Sequence, residues 1–431
     1  MTNSPTIRDT ASATTRRTAP QTTGDSALRF LADGYRFGQR HFDRFDSDIF
    51  RARLAGRRMT FVRGAEGARF FSEGDRFTRD GAIPRSIQHL LQDEGSVQSL
   101  DDAAHSTRKA LFLDILDDAG RASLRDAVGA EWRRSVRRWE QPDTVIRLYP
   151  EMNRILCIAV CRWAGVPLTA AEIPGHTQAF TGMIDRASAL GPLNWMARVR
   201  RRGIERWAAA RIRDARGQDP RPETPLGALA SHRDADGSLM PEDVAAVELI
   251  NLLRPTVALA RFVVFGVLAL EQHPEWRERV RTDPADAWRF AQEVRRATPF
   301  FPVVAGIARH RTEHRGVVVE AGERVALDLF ATCRDPRLWE DPESFSPERF
   351  TPGEDPHRNA LIPQGGGDLA SDHRCPGEPV TIDIVAALLQ EAAGLDYRMP
   401  PQNLAVDLRR IPALPRSGVI LTAIREREEE R

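Results

Sequence analysis

The chain has 431 residues, with 62 basic and 61 acidic side chains and a net charge of +1. That balance excludes the basic footprint of a nucleic-acid binder and the acidic tail of a polyanion. The basic set is lopsided, because Lys109 is the single lysine and every other cation is arginine, the residue suited to fixed planar contacts with anions.

With 41% apolar and 29% charged residues the chain reads as a globular protein. At roughly 150 residues per domain its length allows about three domains, although one large helical core can absorb it. The longest apolar run, residues 262–270, is shorter than the ~18 residues a membrane span needs, so no membrane anchor is expected. Four cysteines are too sparse for a disulfide framework, and a reducing cytoplasmic location is expected.

Residues 1–25 are rich in Thr, Ser and Arg and predict a disordered tail ahead of one folded unit over 26–431. A helix over 27–37 and short strands such as 58–63, separated by glycine turns, predict a small sheet-bearing lobe. Helices follow over 121–139 and 152–163, the second apolar on nearly every face and therefore buried. Residues 242–271 carry the longest uninterrupted helical pattern, ~30 residues or ~45 Å, enough to cross a domain. A helix over 288–297, strands over 317–319 and 325–329, and a loop-rich region complete a mainly α fold with a small β lobe. No repeat of 20 to 50 residues suggests a solenoid or a propeller.

The segment 362–389 places Gly365, Gly366 and Gly367 ahead of Cys375, Pro376 and Gly377, and then an apolar helix. A cysteine just before a helix has backbone N–H groups and the helix dipole favouring its thiolate, and the glycines let backbone approach a large flat group. Taken alone, Cys-Pro-Gly reads first as a helix N-terminus with a buried structural thiol. Upstream, Glu293 and Arg296 lie three apart on one helix face, and Arg349 follows in SFSPERF. An arginine–carboxylate–arginine cluster is costly to bury unless every charge is paired, which suits a structural clamp.

Together these words resemble the cytochrome P450 superfamily, in its order and spacing, from about residue 27 to 425. The resemblance implies a single haem-binding domain with haem b, and Cys375 as the axial ligand of its iron. It also implies that His105 and Lys109, four apart on one helix face, bind the haem propionates, with Arg79 and Arg374 as further partners, and that Gly366 and Gly377 of the cysteine loop contact the haem.

Two departures from the common monooxygenase pattern resemble the fatty-acid peroxygenase branch. The acid–alcohol pair of the central helix is replaced by Arg254 and Pro255, and the glycines stand farther before Cys375 than usual. RPTVA, PQGGG and HRCPGE are that branch's words. The resemblance implies hydrogen peroxide as oxidant, no redox partner, and a carboxylic-acid substrate. Gln98, seven residues before His105, matches a position over the haem where hydroxylating members carry Gln and decarboxylating ones His, which favours α- or β-hydroxylation over alkene formation. The polar stretch 91–96 leaves the chain length of the acid open.

Arg254, flanked by Leu252, Leu253 and Val257, is expensive to desolvate without an anion, and a substrate carboxylate is a fitting bidentate partner. The bland alternative puts Arg254 and Arg261, seven apart, on one solvent-facing stripe. Rival readings of the whole chain are a redox-partner-dependent monooxygenase and a haem sensor or carrier. Cys157 and Cys161 are expected in the core, and His310 and His314 on the surface.

Overall fold

The computed structural model of the chain describes residues 18–92, 95–189, 191–218, 221–353 and 359–427. Two of its core helices begin at acidic side-chain caps. Asp117 opens Asp118–Trp139 by accepting the Gly120 N–H at 2.7 Å, and Asp283 opens Pro284–Ala297 by accepting the Ala285 N–H at 2.8 Å. These two helices join Leu148–Trp163, Glu378–Ala393 and the central helix around the largest apolar core. Leu148–Trp163 is buried on nearly every face, as its all-round apolar pattern requires.

The central helix departs from the expected unbroken rod. It runs Glu242–Ala258, is interrupted at Leu259, and resumes as Ala260–Gln272. Pro255 supplies the cause, since it has no N–H for the Asn251 carbonyl and its ring crowds that oxygen. Just beyond, the Leu259 N–H turns to the Thr256 carbonyl at 3.2 Å, a tighter three-residue closure. The apolar stretch of this helix extends beyond residues 262–270. Glu242–Gln272 is long and apolar enough by composition to cross a membrane, but 89% of its most apolar window is buried inside the protein, where a core helix sits.

The β lobe is a six-stranded sheet with spatial order Gln21–Asp25, Ile49–Leu54, Arg57–Val62, Arg324–Asp328, Val303–Ala308 and Phe77–Thr78. Its first strand corrects the expected tail. Gln21–Asp25 pairs in parallel with Ile49–Leu54, so backbone hydrogen bonds order a stretch whose side chains carry no apolar signal. Residues 1–17 lie outside the described residues. Smaller sheets join Leu395–Arg398, Ile420–Glu426 and Val145–Arg147, and pair Thr312–His314 with Val317–Val319.

The single helix expected over 27–37 is two, Ala27–Asp33 and Arg36–Phe45. Gly34 breaks it with φ 55°, and a Cβ there would lie 2.1 Å from the Leu408 carbonyl oxygen. Gly34→Ala is therefore expected to destabilise the fold by about 1–3 kcal/mol. A urea midpoint equal to that of the unaltered protein would refute this.

Candidate active site

The cysteine loop takes its shape from left-handed glycines, Gly365 at φ 95° and Gly367 at φ 91°. The Cys375 N–H donates to the Gln364 carbonyl at 3.2 Å, and the Cys375 carbonyl accepts the Glu378 N–H at 3.1 Å, where the helix Glu378–Ala393 starts. Burial pushes the thiol pKa up, and the Gly377 N–H and the charges of Lys109 and Arg295 oppose that by favouring a thiolate. A Cβ at Gly377 would touch the Cys375 sulfur at 3.8 Å, and one at Gly366 would press on Ile362 at 3.2 Å. Glycine at both positions keeps the loop thin.

Lys109, on the helix Asp102–Ile115, is buried, and its ammonium donates to the Asp372 and Arg374 carbonyls, the second at 2.9 Å. It thus reaches the backbone just ahead of the cysteine. His105, one turn earlier, stacks on His373 with ring centroids 4.0 Å apart. Burial, then the charges of Lys109 and Arg79, push His105 down to about 4; burial and Arg79 push His373 down to about 2. Arg79 lies over Phe71 at 4.0 Å, and its Nη1 is buried with no hydrogen-bond partner. Arg374 is drawn elsewhere, its Nε donating to Glu378 at 2.7 Å.

This site fits a haem. Cations and neutral histidines gather at Arg79, His105, Lys109 and His373 with an orphaned buried guanidinium N–H, which is the environment that two propionates would satisfy. Among the described residues no three His, Cys, Asp or Glu side chains converge as a metal site. A metal held at Cys375 would then have fewer than three such protein ligands, too few for a structural zinc site and in keeping with a haem thiolate. Because two carbonyls of the loop, with one residue between them, share one compact ammonium, Lys109→Arg should lower haem occupancy. Full occupancy in that variant, read from the ratio of haem to protein absorbance, would refute the requirement.

Behind the loop, the expected clamp is assembled. Arg296 donates bidentately to Glu293, with both bonds 2.7 Å, and also to the carbonyls of Cys333 at 3.0 Å, Pro342 at 2.8 Å and Ser344 at 3.1 Å. Arg349 approaches Glu293 at 3.6 Å and donates to the Asp341 carbonyl at 2.9 Å. A second clamp was not foreseen. Arg295 donates to Glu378 at 2.5 Å and to Gln364 at 3.1 Å, so it grips both ends of the cysteine loop. Glu378 stands three residues after Cys375 in CPGE, and a carboxylate there was the available signal.

On the opposite side, Arg254 and Arg261 are both buried, which overturns the solvent-stripe alternative. Arg254 donates to the Leu91 carbonyl and, at 3.4 Å, to Asn251 Oδ1, while its Nε has no partner. Burial and the charge of Arg201 push its pKa down to about 9. Gln98 is joined to this region through Asn251, whose Nδ2 donates to Gln98 Oε1 at 3.3 Å. Of the polar stretch 91–96, Asp93 and Glu94 lie outside the described residues.

The remaining candidates separate. Cys157 and Cys161 are buried in the core as expected, and His310 is exposed. His314 is not, because it stacks on Phe70 at 4.6 Å and is buried, with its pKa pushed down to about 4 by burial and the Arg315 charge.

A thiol poised before a helix and ringed by cations defines a haem-thiolate oxidoreductase. The cytochrome P450 family model matches residues 289–389. A point variant of cytochrome P450 OleT, solved in complex with arachidonic acid, is 33% identical and superposes with a TM-score of 0.92 over 96% of this chain and 100% of its own. Cytochrome P450EX alpha with myristic acid is 36% identical, with a TM-score of 0.91 over 95% and 100% of the two chains. Cytochrome P450SP alpha in complex with (R)-ibuprofen is 36% identical, at 0.89 over 94% and 99%. Cytochrome P450 120 of Synechocystis sp. is 27% identical over 79% of this chain and 81% of its own. The chain belongs to the cytochrome P450 family, in its fatty-acid peroxygenase branch, with haem b as cofactor and hydrogen peroxide as oxidant.

Proposed function

We propose that this peroxygenase hydroxylates a fatty acid or related carboxylic acid at its α or β carbon, with Arg254 holding the carboxylate. The observation that carries the reading is how the buried arginines are paired. Arg108, Arg261, Arg295 and Arg296 each donate to a carboxylate, at Glu248, Asp185, Glu378 and Glu293 respectively. Arg254 is also buried, yet among the described residues no carboxylate pairs with it. A buried guanidinium without an anion is costly, and a substrate carboxylate offers two oxygens that match its fork. The ligands named for the three solved relatives are all carboxylic acids, which supports the same reading.

Haem b held at Cys375 would supply the oxidative chemistry, a thiolate ligand favouring O–O cleavage of peroxide. This chain's own residues do the rest. Arg254 binds and orients the acid, so that the carbons next to the carboxylate are the ones presented for oxidation. The carboxylate oxygens stand in for the acid that the central helix lacks and move the proton that peroxide cleavage needs. Pro255 holds the local distortion that turns the helix backbone here, and Gln98 offers an amide beside the same space. His105, Lys109 and Arg79 hold the propionates.

The test mixes the purified holoprotein with a panel of carboxylic acids and hydrogen peroxide, without reductase, and identifies products by mass spectrometry. Hydroxy acids are expected. Alkenes one carbon shorter would transfer the reading to decarboxylation, and inertness until a redox chain is added would replace it with a conventional monooxygenase.

A further inference from the structure

We propose that Glu248 is a positioning residue that fixes which way the Asn251 and Gln98 amides face, so that Gln98 offers an N–H donor, not a carbonyl, to the oxidation site. The inference rests on the reading above in placing Gln98 beside that site.

Glu248 lies on the central helix, six residues before Arg254, and is fully buried. Three donors converge on its carboxylate. Oε1 accepts from Arg108 Nη1 and from the Val97 N–H, both at 2.8 Å, and Oε2 accepts from Asn251 Nδ2 at 3.0 Å. Arg108 is anchored in turn by Asp234, to which its Nε donates at 3.2 Å. Burial raises the Glu248 pKa, and the Asn251 bond and the Arg108 charge oppose it. With a guanidinium in contact the group is a carboxylate, and a carboxylate accepts without donating.

That one property propagates. Asn251 must turn its nitrogen to Glu248, which leaves Oδ1 as the acceptor for Arg254 Nη2 at 3.4 Å. The second hydrogen on Asn251 Nδ2 is directed at Gln98, 3.3 Å away, and Ser96 Oγ donates to the same Gln98 atom at 2.8 Å. The Asn251 donor requires that atom to be the oxygen, and the Ser96 hydroxyl, able to donate or accept, turns its hydrogen to match. Gln98 Nε2 is therefore the end left over, with no partner among the described residues. Val97, bonded to Glu248 through its backbone, also ties the Gln98 loop to the central helix.

Glu248→Gln tests the chain of reasoning because it keeps the shape and adds a donor. Two donors already occupy the Oε1 position, so the new nitrogen must take the Oε2 position, where it meets Asn251 Nδ2. Asn251 then reverses, sets a donor against Arg254, and turns its oxygen to Gln98, which reverses as well.

Neutron diffraction from perdeuterated crystals reads these orientations directly. In the unaltered protein the Asn251 deuterons should point to Glu248 and Gln98, and in Glu248→Gln the amides should be reversed; unchanged amides in the variant overturn the proposal. The second readout is the ratio of α- to β-hydroxy acid. Glu248→Gln and Gln98→Leu should each shift it, and the double variant should match Gln98→Leu alone. Independent, multiplying shifts, or a Gln98→Leu ratio identical to that of the unaltered protein, would also overturn it. A protein that yields no hydroxy acid at all sinks the proposed function and leaves the neutron result to decide this one.

Discussion

Arg254→Ala is expected to lower peroxide-driven hydroxylation of carboxylic acids by about 100-fold or more in kcat/KM, because it removes both the substrate's charge partner and its orientation. The same substitution should leave the fold as stable as before or more so. The Arg254 guanidinium is depressed to about 9 by burial and by Arg201, so the folded state carries a penalty for its charge at every pH below that value. The penalty fades as pH rises through 9, and removing the group removes it throughout. A large loss of turnover with an unchanged or raised Tm separates a functional cation from a structural one. Turnover near that of the unaltered protein, or a Tm lowered by many degrees, would sink the assignment.

Arg296→Ala is expected to have the opposite profile. It leaves Glu293 as a buried carboxylate without its bidentate partner and frees the Cys333, Pro342 and Ser344 carbonyls. Breaking such a pair costs about 3–5 kcal/mol, a large part of the stability of an ordinary domain. Urea unfolding would measure the loss, and haem content should fall with it. Glu293→Ala combined with Arg296→Ala should cost less than the sum of the two, since the second removal relieves the charge that the first left unpaired. Strict additivity would mean that the two residues do not act as a unit.

These two arginines were legible in the sequence for different reasons. Arg296 sits three residues from Glu293 on one helix, a spacing that geometry turns into a contact. Arg254 stood out as a charge among apolar neighbours beside a proline. Arg295, next to Arg296, was invisible, because its carboxylate is 83 residues away and nothing periodic links the two. Glu248 was hidden likewise, its partner Arg108 being 140 residues distant. Within the helix it reads as one more polar position.

The fold shows the same division. Helices carrying strong apolar periodicity were found close to their observed bounds, and the strand Arg57–Val62 was expected from its residues. What failed were features decided by backbone. The strand Gln21–Asp25 is held by pairing with a distant neighbour, the break at Gly34 by the approach of the Leu408 carbonyl, and the interruption at Leu259 by a proline four residues earlier.

The sole side-chain amine of the sequence is held by carbonyls of the cysteine loop and is 1% exposed. An amine-selective acylating reagent therefore meets no lysine on the folded surface, and Lys109 can be acylated only when the loop lets go of it. Lys109 is therefore the protein's one side-chain reporter for such a reagent, distinguishable from the backbone amine by peptide mapping, and its modification times the opening of the haem-side loop against the rest of the molecule.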